Sequence, residues 1–107
     1  MREAPWAFST FWLYTVLVDG ERFGIGSREL LRELAAVGGQ TRPLRQPLHR
    51  SKAHRNSSSY GGRVAEVVNQ DALSLPSSVG LCPEGVSKVA ELVRASCRTS
   101  HTPTCLA

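Results

Sequence analysis

At 107 residues, 41% hydrophobic and 21% charged, the chain has the composition of one small globular domain with a modest core, well away from the polar, charge-rich class that stays disordered. Its net charge of +4 is local: no acid stands between Glu33 and Glu66, while Arg42, Arg45, Arg50, Lys52, Arg55 and Arg63 all do. The rest of the chain is slightly acidic, so basicity marks one segment and does not define the whole surface.

Arg2 followed by the apolar run Trp6 to Val18 has the outline of a signal peptide, but Glu3 spoils the basic start and aromatic and β-branched residues dominate. The run is also shorter than the ~20 residues of a membrane span. It reads as a strand, Phe11 to Val18 (FWLYTVLV), apolar on both faces and expected to be covered on each side. Asp19-Gly20 ends it. The following ERFGIG has the look of a hairpin arm, but Gly24 and Gly26 weaken it, and a loop leading to a helix is the better reading. Ser27 is placed to cap that helix, Glu29 suits its first turn, Leu30, Leu31, Leu34 and Val37 form its apolar stripe, and Gly38 stops it.

Gln40 to Leu44 can form a short strand, confined by Pro43 and Pro47 to an edge or a bulge. Leu48 to Gly62, with Ser57-Ser58-Ser59 and Gly61-Gly62, reads as a long mobile loop. Val64, Val67 and Val68 then mark a short helix from Arg63, and Leu73 to Pro76 (LSLP) a short buried strand. Pro83 suits the first turn of a last helix, whose face is Val86, Val89, Ala90 and Val93 and which runs to about Ala95. The remainder, RTSHTPTCLA, has no period and is expected to be unstructured. The order is strand, helix, strand, helix, strand, helix, with no tandem repeat.

Cys82, Cys97 and Cys105 form an odd set without CxxC spacing, which argues against a zinc site and against a complete disulfide framework. Reduced thiols in the cytoplasm are the simplest reading. Cys105 is third from the end, where prenylation needs the fourth position.

The stretches FWLYTVLVDG, SRELLRELAAVG, QTRPLRQPLHRSKAHR, YGGRVAEVVNQDALSLPSSVGL and VSKVAELVRAS, in this order and separation, resemble the C-terminal region of the DegT/DnrJ/EryC1/StrS family. These are pyridoxal-phosphate-dependent nucleotide-sugar aminotransferases, and the flavour is that of members making 4-amino sugars of the bacillosamine or legionaminic type. TRPL-x-QPLH and ALSLPSSVGL carry most of the resemblance. It implies an α/β (α+β) domain, the C-terminal small domain of a fold-type I transferase, with a short sheet packed with about three helices over residues 1–96 and a tail over 97–107. It further implies a large pyridoxal-phosphate-binding domain that this sequence does not contain, a homodimer partner, glutamate as amino donor and a nucleotide-linked keto sugar as acceptor. The products of such enzymes feed cell-surface polysaccharides.

By the same resemblance, the segment Thr41 to Arg55 borders the sugar-nucleotide site, and Arg42 and His49 are its candidate binding residues. Arg42 offers a forked guanidinium to ligand oxygens or to a neighbouring carboxylate; His49 offers a hydrogen bond to the sugar or a cofactor-linked group. The plainer roles are a structural salt bridge for Arg42 and loop packing for His49. No catalytic residue is assigned: the reaction needs a Schiff-base lysine and an acid at the pyridine nitrogen, and in the family that lysine lies upstream of everything matched here. The chain's own lysines are Lys52 and Lys88. A truncated chain that neither holds the cofactor nor transaminates unaided is therefore expected.

Three positions depart from the family pattern. Arg45 stands where an aromatic residue is usual, Gly39 where an aliphatic residue enters the strand, and Cys82 where Ser or Thr caps the last helix. Loss of a buried aromatic costs about 3 to 5 kcal/mol and loss of a cap about 1 kcal/mol, while a charge at the aromatic's place adds desolvation. Arg45 could also meet a diphosphate. Together the departures suggest a degenerate remnant or a non-catalytic interaction domain as the alternative. A nucleic-acid-binding segment fits less well, because Tyr60 is the only aromatic residue between Leu34 and Ala65 and no binding motif is matched.

Overall fold

The structure, a computed structural model, describes residues 3–10 and 12–98. Strand β1 (Tyr14–Leu17) leads into a one-turn helix α1 (Gly20–Phe23), then helix α2 (Ser27–Ala36), strand β2 (Arg42–Pro43), helix α3 (Arg63–Asp71), strand β3 (Ala72–Leu75) and helix α4 (Pro83–Ala95). The sheet order is β1-β3-β2 and both pairings are antiparallel. The domain is thus a small mixed α/β unit of the α+β kind, with β3 as the central strand.

Local chemistry explains most of the element ends. The Asp19 carboxylate accepts the N–H groups of Glu21 and Arg22 and so caps α1, while Gly24 closes that turn with a φ of 91°. At the end of α2, Gly38 takes a φ of 83°, its N–H donates to the Ala35 carbonyl, and the Gly39 N–H donates back to the Leu34 carbonyl. This is a Schellman closure. A Cβ on Gly39 would lie 3.0 Å from the Leu34 oxygen, so the glycine fits a close approach and need not be read as drift.

The core is Val18, Ile25, Leu30, Leu34 and Leu73, with Val16, Phe23, Leu31, Leu75, Leu92 and Val93 packed around it. Val16, Leu73 and Leu75 all lie on one face of the sheet, so the helices cover that face. The register pairs Thr15 with Ser74 and Arg42 with Ser74, placing these three on the opposite face, where Thr15 and Arg42 are exposed and Ser74 and Ala72 are buried. Proline in β2 is tolerated for a geometric reason. The Val18 N–H donates to the Asp71 carbonyl, and bonded pairs alternate along an antiparallel ladder. Val16–Leu73 is therefore a bonded pair on the β1 side, and Pro43–Leu73 falls at an unbonded position on the β2 side.

Several expectations need correction. The strand expected over Phe11 to Val18 is shorter, Tyr14–Leu17, with Phe11 outside the described residues; it is an edge strand, and Leu13, Tyr14 and Leu17 are 51%, 65% and 69% exposed. Among the described residues β1 has a neighbouring strand on one side only, because β3 takes the central place. Gly26, not Ser27, is the N-cap of α2; the Ser27 hydroxyl donates instead to the Gln70 carbonyl, tying α2 to the end of α3. Val37 lies past the last helical turn, and Val64, Val67 and Val86 face outward, so these four contribute little to the core. The Leu48 to Gly62 loop contains two short 3-10 turns, Leu48–Arg50 and Lys52–His54.

At the other end of the chain, Arg98 belongs to the fold. Its N–H donates to the Phe23 carbonyl, and its guanidinium lies between Glu29, at 3.1 Å, and Glu33. Those two acids are four residues apart on α2, where like charges repel; Arg98 offsets the repulsion and fastens the end of α4. The tail from Thr99 onward, with Cys105, lies outside the described residues. Cys82 is the N-cap of α4 and makes no side-chain cap bond. The Glu84 carboxyl is held below its usual range by its own backbone N–H and by the Cys82 thiol, and partly substitutes for the cap.

Two substitutions test this packing by urea denaturation. Leu34→Ala, at a position 1% exposed, is expected to cost about 2 to 5 kcal/mol. Cys82→Ser is expected to stabilise by about 1 kcal/mol through a hydroxyl cap on α4.

Candidate functional site

The basic segment from Thr41 to Arg55 crosses from β2 over the surface of α3, held there by Asn69 and Glu66 and braced internally by Gln46. The Asn69 side-chain amide donates to the carbonyls of Leu44 at 2.7 Å and Arg45 at 2.9 Å. Gln46 donates to the Arg50 carbonyl at 3.1 Å, bracing the first 3-10 turn from within. His49 Nε2 lies 2.8 Å from Glu66 Oε1, with Arg50 Nε 3.7 Å from the same oxygen.

Glu66 is the acid that answers this segment. The His49 hydrogen bond lowers its carboxyl from the ordinary 4.5; partial burial opposes this, and the charges of Arg50 and His49 lower it further. An ionised carboxylate only accepts, so His49 Nε2 carries the proton and donates. The ring also explains the glycine pair before α3. Gly62 has a φ of 100°, and a Cβ there would lie 2.7 Å from His49 Cε1, so a side chain is excluded by both backbone and space.

Arg42 and His49 are therefore not brought together. His49 is committed to α3, whereas Arg42 is exposed on the sheet face opposite Val16 and Leu73. There it continues a polar row across three strands: Thr15 Oγ1 is 3.2 Å from Ser74 Oγ, and Ser74 pairs with Arg42 in register. No carboxylate among the described residues lies within ion-pairing distance of Arg42. Thr15 and Ser74 were not singled out from sequence. Their signal was present all the same, as single polar interruptions in two strongly apolar stretches, but only the register joins them to Arg42.

Two hollows flank the segment, and neither is lined by Arg42 or His49. One of about 390 Å³ is walled by polar groups including Gln46, Arg50, Arg63, Glu66 and Asn69; an open one of about 680 Å³ is mostly apolar, with Arg45 and Arg63 at its rim. Arg45 is solvent-exposed, so its charge incurs no burial penalty in this chain, contrary to the sequence expectation. Among the described residues, no group of three or more His, Cys, Asp or Glu is placed to hold a metal ion.

A model of the DegT/DnrJ/EryC1/StrS aminotransferase family matches residues 1–94. The chain belongs to this family. It is also similar to GDP-perosamine synthase of Caulobacter vibrioides, 29% identical over 79 residues, which is 74% of this chain and 21% of that protein. The chain thus spans about a fifth of the length of the curated relative it matches.

The family uses pyridoxal phosphate, and the described residues do not assemble a site for it. Lys52 and Lys88 are both exposed, neither lines a hollow, and no enclosed acid faces either one. This chain's own residues offer the exposed Arg42 guanidinium beside the hydroxyls of Thr15 and the buried Ser74, next to a basic loop pinned by Asn69 and Glu66. Among the described residues, no helix is long and apolar enough to cross a membrane.

Asn69→Ala leaves two carbonyls without a donor and is expected to cost about 1 to 3 kcal/mol of stability. The Glu66 contact has a pH signature. A carboxyl lowered by folding contributes stability that is fully present above its unfolded value of 4.5 and is lost as pH falls through the lower folded value. The stability difference between wild type and Glu66→Gln, from urea titrations at stepped pH, is expected to be largest near neutrality and to shrink below that value.

Proposed function

We propose that this chain is the C-terminal small domain of a pyridoxal-phosphate-dependent aminotransferase that transfers an amino group from glutamate to a nucleotide-linked keto sugar, for amino-sugar biosynthesis in the cytoplasm. Catalysis requires a large cofactor-binding domain, supplied upstream in the same protein or by a partner chain of a dimer. The observation that carries this reading is the polar row Thr15–Ser74–Arg42 on the sheet face opposite Val16 and Leu73, in a chain of this family. The name of the similar Caulobacter vibrioides protein, GDP-perosamine synthase, supports a nucleotide-linked sugar as the substrate class.

In this reading Arg42 contacts oxygens of the substrate, as a forked donor with no competing internal carboxylate. His49 acts one step back: its bond to Glu66 sets the course of the basic segment, and the remainder of the ring presents a hydrogen-bonding edge to the sugar or a cofactor-linked group. A non-catalytic interaction domain that kept the fold is the alternative, favoured by the amount of apolar surface left outward. The two differ in what restores activity.

The test is reconstitution. The chain is mixed with pyridoxal phosphate, glutamate, a nucleotide-linked keto sugar and the large-domain portion of the Caulobacter vibrioides relative. The reading expects no visible absorption band of bound cofactor from the chain alone, and a band together with amino transfer in the mixture. Arg42→Ala is expected to raise KM for the nucleotide sugar roughly ten- to hundred-fold. Physical association without any transfer would favour the interaction domain, and bound cofactor in the isolated chain would overturn the proposal.

A further inference from the structure

The loop that begins at Leu48 returns to its own start. The His49 ring lies against Gly62, where a Cβ would be 2.7 Å from it, and it bonds Glu66 in the first turn of α3 at 2.8 Å. A surface loop closed at its base in this way holds the residues flanking the closure side by side. Arg50 follows His49 and Arg63 follows Gly62, so the closure brings these two arginines from opposite ends of the loop to the walls of one hollow of about 390 Å³.

The donors around this hollow are only partly used. Arg50 Nε stands 3.7 Å from Glu66 Oε1, beyond hydrogen-bond reach, and that oxygen already accepts from His49. The Arg63 guanidinium and the Gln70 side-chain amide have no hydrogen-bond or ion-pair partner among the described residues. Asn69 differs, because its amide already serves the carbonyls of Leu44 and Arg45. The walls therefore set two guanidiniums and an unused amide against one carboxylate.

We infer that this hollow binds a phosphate group, free or carried on a small molecule, held by Arg50 and Arg63 from the two ends of the loop and by Gln70 from α3. A phosphoryl group carries a charge of about −1.5 to −2 near neutrality and presents three strong acceptor oxygens. Two guanidiniums match that charge, and each can donate to two oxygens at once; a carboxylate, with a single charge, needs only one of them. Glu66 opposes the anion, but its hydrogen bond from His49 draws off part of its charge. Arg42 and His49 do not line this hollow, so the inference stands apart from the proposed activity.

Titration of the full 107-residue chain with inorganic phosphate, at neutral pH and constant ionic strength, tests it by NMR of the arginine Nε–H and glutamine side-chain amide signals. The expected result is a saturable shift of the Arg50, Arg63 and Gln70 signals while that of Arg42 stays in place. Arg50→Gln and Arg63→Gln are each expected to weaken binding about ten-fold or more. Arg55→Gln removes a charge of the same segment that does not line the hollow, and is expected to leave binding unchanged. Methyl phosphate separates the two sources: tighter binding of the ester identifies a carried phosphate, and tighter binding of the inorganic ion a free one. The backbone spectrum of each variant reports its folding, and should one fail to fold, the wild-type shifts and the Arg55→Gln comparison still decide. Shifts that do not saturate, a loss with Arg55→Gln as large as with Arg63→Gln, or acetate binding as tightly as phosphate would overturn it.

Discussion

The structure depends on the junction at which α3 passes without a loop into β3, Asn69-Gln70-Asp71-Ala72. Asn69, Gln70 and Asp71 there tie together the basic segment, α2 and β1. Asn69 donates to the carbonyls of Leu44 and Arg45 and pins the basic segment. Its own carbonyl accepts from Arg28, and the Gln70 carbonyl takes the Ser27 hydroxyl, so α2 is fastened twice. The Asp71 carbonyl takes the Val18 N–H and starts the β1–β3 ladder. The register of that ladder decides which residues share a face with Leu73 and which share the other with Ser74.

From this junction follow the two sides of the sheet. Leu73, on the helix side, joins the core with Leu30 and Leu34; Ser74, on the other side, joins Thr15 and Arg42. A domain of this size with helices on one side only leaves apolar strand surface without cover.

Much of the fold was legible in the sequence because it is locally determined. The α2 stripe of Leu30, Leu31 and Leu34, the Gly38 stop, the Pro83 start of α4 and the apolar LSLP strand all express spacing, capping and backbone preference within a few residues. Burial was less legible because it depends on what covers an element. FWLYTVLV has the composition of a doubly covered strand, and this chain provides only one cover. For the site, the basic segment and Arg42 were visible as charge, yet their surroundings were not. Asn69, one amide in a polar run, gains its role from carbonyls more than twenty residues away, and Thr15 and Ser74 become neighbours of Arg42 only through register. Gly39 and Arg45, which look like decay against the family pattern, have physical explanations in a close backbone approach and in solvent exposure.

Everything argued about the polar row rests on the register of β1 on β3, and solution NMR of the full chain reads it directly. If Thr15 and Ser74 form an unbonded pair, their Hα protons are close enough for a strong cross-strand NOE, with a second between Leu17 and Ala72. Strong Hα contacts pairing Thr15 with Leu73 or Leu75 instead would shift the register by one residue, move Thr15 to the other face and contradict the account.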